Sequence, residues 1–333
     1  MVLKLVTNHS VVAGLFAIIL LALPTLVAIF SPSHPGGGLA MVLAMPFQAI
    51  TPLPIFLVSL KQGLKSGLQA ALVLVGGAYL ISQDVQFALL IFALLAAFPL
   101  LATWMLHTGW NFSQSAGSGF ALGVLILVII LGISANTPLE MEHNLTTSLG
   151  AIQERFVTMA QNQSADAKTI LEYQQSLEQF FNLLTFLFPA MLVSGWFMLQ
   201  LANLILTRYL FAKRFGYHLP GENFVGFRVP FFMVWPVIAS AIIMMLADGV
   251  LLRFSANIGL FLAIPYFFQG WAIIQKYFQH MKVPPFWCNL FYIFIFWSSK
   301  IALVVALFGF FDTWLDFRSR LEKTEEDQLP PGR

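Results

Sequence analysis

The chain has 333 residues, of which 59% are hydrophobic and only 10% are charged. This composition excludes a water-soluble globular domain and predicts a polytopic membrane protein. The net charge of +2 says little about partners, and no nucleic-acid partner is predicted. The single cysteine, Cys288, excludes an intrachain disulfide and a cysteine-based metal cluster.

Nine apolar windows are long enough to cross a hydrocarbon layer about 30 Å thick. In chain order they cover residues 11–30, 38–60, 63–83, 86–106, 117–135, 181–210, 231–251, 257–279 and 286–312. The first lacks an A-x-A cleavage site before SPSHPGGG, so we expect a retained membrane helix and not a signal peptide. The fold prediction is an all-α, polytopic transmembrane bundle of about nine helices.

The second window is irregular, because it contains Pro46, Pro52 and Pro54 within AMPFQAITPLPIF. Each proline lacks an amide donor and also restricts the residue before it. We therefore predict a broken helix. Interrupted helices at membrane depth usually line a cavity.

The chain divides into four predicted regions. Residues 1–135 form an N-terminal membrane bundle of five helices, and residues 136–180 form a periplasmic, amphipathic helical segment between helices five and six. Residues 181–315 form a C-terminal membrane bundle of four helices, and residues 316–333 form a polar tail. In 136–180, apolar residues at helical spacing predict helices, the last of which continues into the membrane.

The distribution of basic residues predicts that the N-terminus is cytoplasmic. This orientation puts nine short-loop bases inside: Lys4, Lys61, Lys65, Arg208, Lys213, Arg214, Arg228, Lys276 and Lys282. Among short outer loops only Arg253 opposes them. We expect a bacterial inner (plasma) membrane protein.

The last window breaks this charge pattern, because a single crossing puts Arg318, Arg320 and Lys323 outside. Length favours one long crossing over two half-helices. The alternative is a re-entrant hairpin that turns near Ser298 to Lys300 and returns the tail to the cytoplasm.

Small residues at four-residue spacing mark two helix faces. They are Ala13 and Ala17 on helix one, and Gly63, Gly67 and Ala71 on helix three. Such faces let helices approach closely. They predict either intramolecular packing or a docking face for a membrane protein partner.

Few polar side chains lie within the apolar windows, and intramembrane ionisable groups are functional candidates by default. The ligand-binding candidates are Lys300, Gln269, Gln48, Asp248 and Trp297. Lys300 lies in FWSSKIALVV, where it would neutralise an anionic ligand group, pair internally or extend toward an interface.

Catalytic signatures are missing from the sequence. There is no G-x-x-x-x-G-K-[ST] loop for ATP and no H-E-x-x-H zinc motif. We predict no enzyme, no catalytic residue, no metal site and no cofactor. Any ATP-driven transport needs another subunit.

Three segments in order resemble the YybS-like family of predicted bacterial inner-membrane proteins, a domain of unknown function. They are PFQAITPLPIFLVSLKQGLKSGLQAA, FFQGWAIIQ and LFGFFDTWLDFRSR. That family is distantly similar to the substrate-binding S-components of energy-coupling-factor vitamin transporters. Those begin with a proline-rich loop and then a small-residue helix, here Ala13 and Ala17 followed by Pro52, Pro54, Gly63 and Gly67.

The sequence thus predicts a small-molecule binding or transport component without its own ATPase. Its partners are the lipid bilayer, a small-molecule ligand and a membrane protein. The alternative is a membrane scaffold or assembly factor that binds protein partners through the small-residue helix faces.

Overall fold

A computed structural model describes residues 2–30, 46–135, 167–216, 226–317 and 319, with scattered positions between 147 and 159. Every regular element in these described residues is a helix. The prediction of an all-α membrane bundle is confirmed.

The predicted count of nine membrane helices is not confirmed. The described residues contain five helices that are long and apolar enough to cross a membrane, or six if one bent pair counts as a span. Two further apolar helices, Ser10–Pro24 and Phe231–Leu246, are shorter. Only 22% to 44% of each long apolar window is buried within the structure, as expected where the outer faces contact lipid.

The chain forms two compact units. Unit 1 comprises Met1–Gly123 and Gly195–Glu222, and unit 2 comprises Val124–Ser194 and Asn223–Arg333. Two helices belong partly to each unit: α7, Phe112–Ser134, and α8, Ala167–Phe215. The 49 residues of α8 extend over about 73 Å at 1.5 Å per residue, well beyond a hydrocarbon layer.

Unit 1 is built from the N-terminal helices. They are α1 Val2–Asn8, α2 Ser10–Phe30, α3 Leu53–Gln62, α4 Leu64–Ser82, α5 Val85–Ile91, a π-helix Phe92–Ala96 and α6 Ala97–His107. Of the predicted packing residues, Ala13, Ala17 and Ala71 are completely buried in this unit. A side chain added at Gly67 would collide with Ser59.

Gly63 does not belong to a helix face, and in this respect the predicted small-residue register is wrong. The glycine joins α3 to α4 with φ of +92°, a conformation that favours a residue without Cβ. Nothing lies within 4 Å of a Cβ built there. The chain therefore turns at Gly63, and only the residues beyond it follow the α4 face.

Unit 2 contains the C-terminal helices. They are α9 Val234–Leu246, α10 Gly249–His280, α11 Pro285–Trp297 and α12 Ser299–Leu315. A 3₁₀ turn, Phe231–Met233, precedes α9. Glycines bring α10 and α12 together, because a Cβ on Gly270 would overlap the Val305 carbonyl and one on Gly309 would overlap that of Tyr266.

The last apolar window is not one straight helix. The axes of its two parts, Pro285–Ile295 and Lys300–Leu315, differ by 104°. Ser298 between α11 and α12 is extended, with φ of −117° and ψ of 110°. One straight helix through the whole window is therefore not observed, and the bent pair is either a broken span or a re-entrant loop.

Asn257 joins α10 to the N-terminal part of α8 within unit 2. Its Nδ2 donates to the Phe186 carbonyl at 2.9 Å, and its Oδ1 accepts from the Ala190 amide at 2.9 Å. An uninterrupted α-helix would join these two backbone groups to each other. Pro189 lies between them, and prolines inside helices disturb this pairing.

Candidate functional site

The proline-containing second window forms a turn inside unit 1. Residues 46–49 are helical, residues 50–52 form the turn, and α3 begins at Leu53. The amide of Leu53 donates to the Ile50 carbonyl at 3.1 Å, whereas a continuous helix would direct it to Ala49. The Ala49 carbonyl instead accepts from Asn203 Nδ2 at 2.8 Å.

A second backbone carbonyl in unit 1 is also satisfied by the C-terminal part of α8. In the π-helix register the residue paired with Leu94 is Pro99, which has no N–H. Trp196 Nε1 donates to the Leu94 carbonyl at 2.6 Å, and Gln200 Nε2 donates to the same oxygen. Side chains of one helix thus satisfy backbone groups at two interruptions.

Three buried oxygens near these interruptions have no hydrogen-bond partner: Thr51 Oγ1, Gln200 Oε1 and Asn203 Oδ1. We call these three residues the acceptor cluster. Their exposed fractions are 0%, 1% and 3%, so lipid and bulk water do not reach them in this conformation. A buried polar atom without a partner costs free energy, which makes the cluster a candidate binding site.

Sequence reasoning did not identify the acceptor cluster. One signal was available, because Trp196, Gln200, Asn203 and Thr207 recur every three or four residues within an otherwise apolar window. That spacing puts them on one helix face. The partners of that face are distant in sequence and appear only in the folded structure.

The predicted candidate Gln269 lies in unit 2 and is 2% exposed. Its Oε1 accepts from the Val229 amide at 2.7 Å. Its Nε2 donates to the Gly309 carbonyl at 3.0 Å and to Asp312 Oδ2 at 3.1 Å. These bonds join α10, α12 and the segment before α9, so the geometry gives Gln269 a structural role.

The other candidates are exposed. Trp297 is 87% exposed at the end of α11, and Lys300 is exposed in the first turn of α12. Lys300 is about 18 Å along α12 from Asp312, the residue that contacts Gln269. The structure therefore does not bring Lys300 and Gln269 together, and a ligand contact at Lys300 stays a prediction.

Two candidates lie at helix ends. Asp248 is exposed at the start of α10, and its side chain makes no capping hydrogen bond. Gln48 is exposed in unit 1, and its carbonyl accepts from the amide of Thr51 at 3.1 Å. Gln48 is thus the one predicted candidate beside the acceptor cluster.

An ion pair marks the end of α12. Arg228 Nη2 lies 3.1 Å from Asp316 Oδ1, and both side chains are about half exposed. Asp316 ends the helix with φ of 40°. The pair therefore joins the end of α12 to the segment that precedes α9. Arg318, Arg320 and Lys323, the bases that a single crossing would put outside, are not among the described residues.

Long apolar helices and internal polar pairing define the chain as a polytopic helical membrane protein. The model of the family described as "Predicted membrane protein (DUF2232)" matches residues 37–313, and the chain belongs to this family. This is the YybS-like family that the segment order predicts. No curated protein and no solved structure matches the chain, so the expected similarity to S-components has no support.

Proposed function

We propose that the protein is a small-molecule binding or transport component of a bacterial inner membrane, without its own ATPase. One observation carries the proposal. A broken helix packs beside the acceptor cluster, whose three buried oxygens lack partners. Interrupted backbone and polar side chains at membrane depth are typical of ligand and ion pathways.

The competing function is a membrane scaffold that binds partners through small-residue faces. Ala13, Ala17 and Ala71 are 0% exposed, and they pack within unit 1. These residues therefore offer no free surface to a partner. The observations favour the binding or transport role over the scaffold.

We expect gently solubilised protein to carry a small molecule besides lipids, and mass spectrometry of the denatured eluate tests this expectation. The matched sample is a Gln200→Leu variant, which removes one free oxygen of the acceptor cluster and one donor to Leu94. The small molecule should be depleted in that sample. Recovery of lipids alone from both samples, with no associated ATPase, would favour the scaffold.

We also propose that the N-terminus is cytoplasmic and that the C-terminus lies on the same side. Basic residues of short loops support the first part. The second part is supported by the 3.1 Å pair of Arg228 with Asp316, because Arg228 follows the basic end of α8.

A reporter fused after Arg333 is therefore expected to be active on the cytoplasmic side. A second fusion after Gln163, in the predicted periplasmic segment, serves as the opposite-side control. Activity of both fusions on the periplasmic side would contradict the hairpin interpretation of α11 and α12 and restore a single crossing.

A further inference from the structure

The acceptor cluster has a definite chemical character, since all three unpartnered atoms are oxygens. The amide nitrogens of the cluster are already occupied. Gln200 Nε2 donates to the Leu94 carbonyl, and Asn203 Nδ2 donates to the carbonyls of Ala49 and Leu199, both at 2.8 Å. Turning either amide around would set its oxygen against a carbonyl oxygen, which cannot donate a hydrogen bond. The oxygens therefore stay directed away from the bonded carbonyls.

The three residues come from two parts of unit 1 that contact each other. Gln200 and Asn203 are three residues apart on α8, a spacing that puts them on the same helix face. Asn203 bonds to Ala49, and Thr51 follows two residues later in the turn. Asn203 thus lies beside the turn that contains Thr51, and Gln200 shares its helix face.

The number and type of the oxygens restrict the occupant. One water molecule could donate to the two amide oxygens and accept from the Thr51 hydroxyl, so water is the occupant that the cation test must distinguish. Divalent cations in proteins usually take carboxylate ligands, and the acceptor cluster contains none. No group of three metal-binding acidic, histidine or cysteine side chains occurs anywhere in the described residues. Neutral oxygens at an unwound membrane segment are the ligands of alkali-metal ions.

We propose that the acceptor cluster binds an alkali-metal cation, with Na⁺ as the first ion to test. In this proposal the oxygens of Thr51, Gln200 and Asn203 are the ligands of the cation. This inference rests on the proposed function, because an ion bound at a broken helix is one way in which a transport component without an ATPase is driven.

The test measures the melting temperature of the full-length protein in detergent while NaCl replaces choline chloride at constant ionic strength. A cation that binds only the folded state raises the melting temperature, and the increase depends on its concentration and affinity. We expect a rise with NaCl that LiCl or KCl reproduces with a different midpoint. Equal melting temperatures in NaCl, KCl, LiCl and choline chloride would overturn the proposal.

Thr51→Val is the diagnostic variant. The Thr51 hydroxyl makes no hydrogen bond, so its removal breaks none within the protein. In choline chloride the variant should melt at the wild-type temperature or above it. The apparent Na⁺ affinity should fall at least about tenfold, because one ligand to a charged species is lost. An unchanged Na⁺ midpoint would contradict the site.

The matched control is Thr313→Val on α12. Thr313 Oγ1 is also buried without a partner, but it lies in unit 2 and not in the acceptor cluster. This variant should keep the full Na⁺ response. Loss of the response in both valine variants would indicate a general effect of hydroxyl removal and would overturn the assignment.

A direct measurement tests the proposal on the wild-type protein, so it does not depend on whether a variant folds. Purified wild-type protein should retain ²²Na⁺, and unlabelled NaCl should displace it while choline chloride should not. No displaceable ²²Na⁺ would refute the site. Cation binding without any small-molecule ligand would refute only the transport role, whereas a bound ligand without cation dependence would refute only the cation site.

Discussion

Replacing Gly270 with leucine is expected to destabilise unit 2 by about 3 kcal/mol, toward the upper end for overpacked sites. A Cβ at this position would overlap the Val305 carbonyl oxygen, and the Val305 carbonyl carbon and the Gly309 nitrogen also lie close to it. These are backbone atoms of α12, which cannot move aside as a flexible side chain does. The two helices must therefore separate, and the contacts of Gln269 with Asp312 and Gly309 are expected to weaken with them.

Chemical unfolding in mixed micelles, followed by tryptophan fluorescence, measures this effect. The control is Gly132→Leu on α7, where nothing lies within 4 Å of an added Cβ and the position is exposed. Leucine has a better helix propensity than glycine by somewhat less than 1 kcal/mol, so the control should not lose stability. Equal losses in both variants would show that the α10 and α12 crossing has no special requirement for glycine.

The positions of the long helices follow directly from the sequence. The apolar window at 63–83 corresponds to the observed span Leu64–Ser82, and the window at 257–279 lies within Gly249–His280. A run of about 20 apolar residues has few alternatives in a membrane, because its backbone must pair internally. Proline spacing similarly indicated the turn at 50–52.

The sites within unit 1 and unit 2 could not be predicted in the same way. The sequence left Lys300 either in one long crossing or at a hairpin turn near Ser298 to Lys300, and the structure shows it exposed beside an extended Ser298. Periodicity alone could not decide between this turn and a single crossing, because both half-helices are equally apolar. Gln200 and Asn203 were overlooked for a related reason. Their partners at Leu94 and Ala49 are more than 100 residues away in sequence.

The same kind of contact occurs in both units. A side-chain amide forms hydrogen bonds with backbone groups near a proline of a neighbouring helix. In unit 1, Gln200 and Trp196 satisfy the Leu94 carbonyl near Pro99. In unit 2, Asn257 bridges Phe186 and Ala190 around Pro189. Lipid cannot supply these partners, so each amide is expected to contribute strongly to stability.

Asn257→Leu should therefore cost about 3 kcal/mol. It leaves the Ala190 amide and the Phe186 carbonyl without this partner in a buried position, and each buried polar group left unmet costs about 1–3 kcal/mol. Chemical unfolding measures the loss. Asn289→Leu, an exposed change on α11, is the control and should cost little.

Pro189→Ala tests whether the role of Asn257 depends on the proline. Alanine removes the ring that crowds the preceding turn, so the Ala190 amide can pair with the Phe186 carbonyl, and the new amide at 189 can donate to Thr185. In that background the Asn257→Leu penalty should fall by at least about 1 kcal/mol, which a double-mutant cycle measures. Purely additive losses would show that Asn257 stabilises unit 2 by packing alone. A reduced penalty would show that its amide completes a helix that Pro189 interrupts.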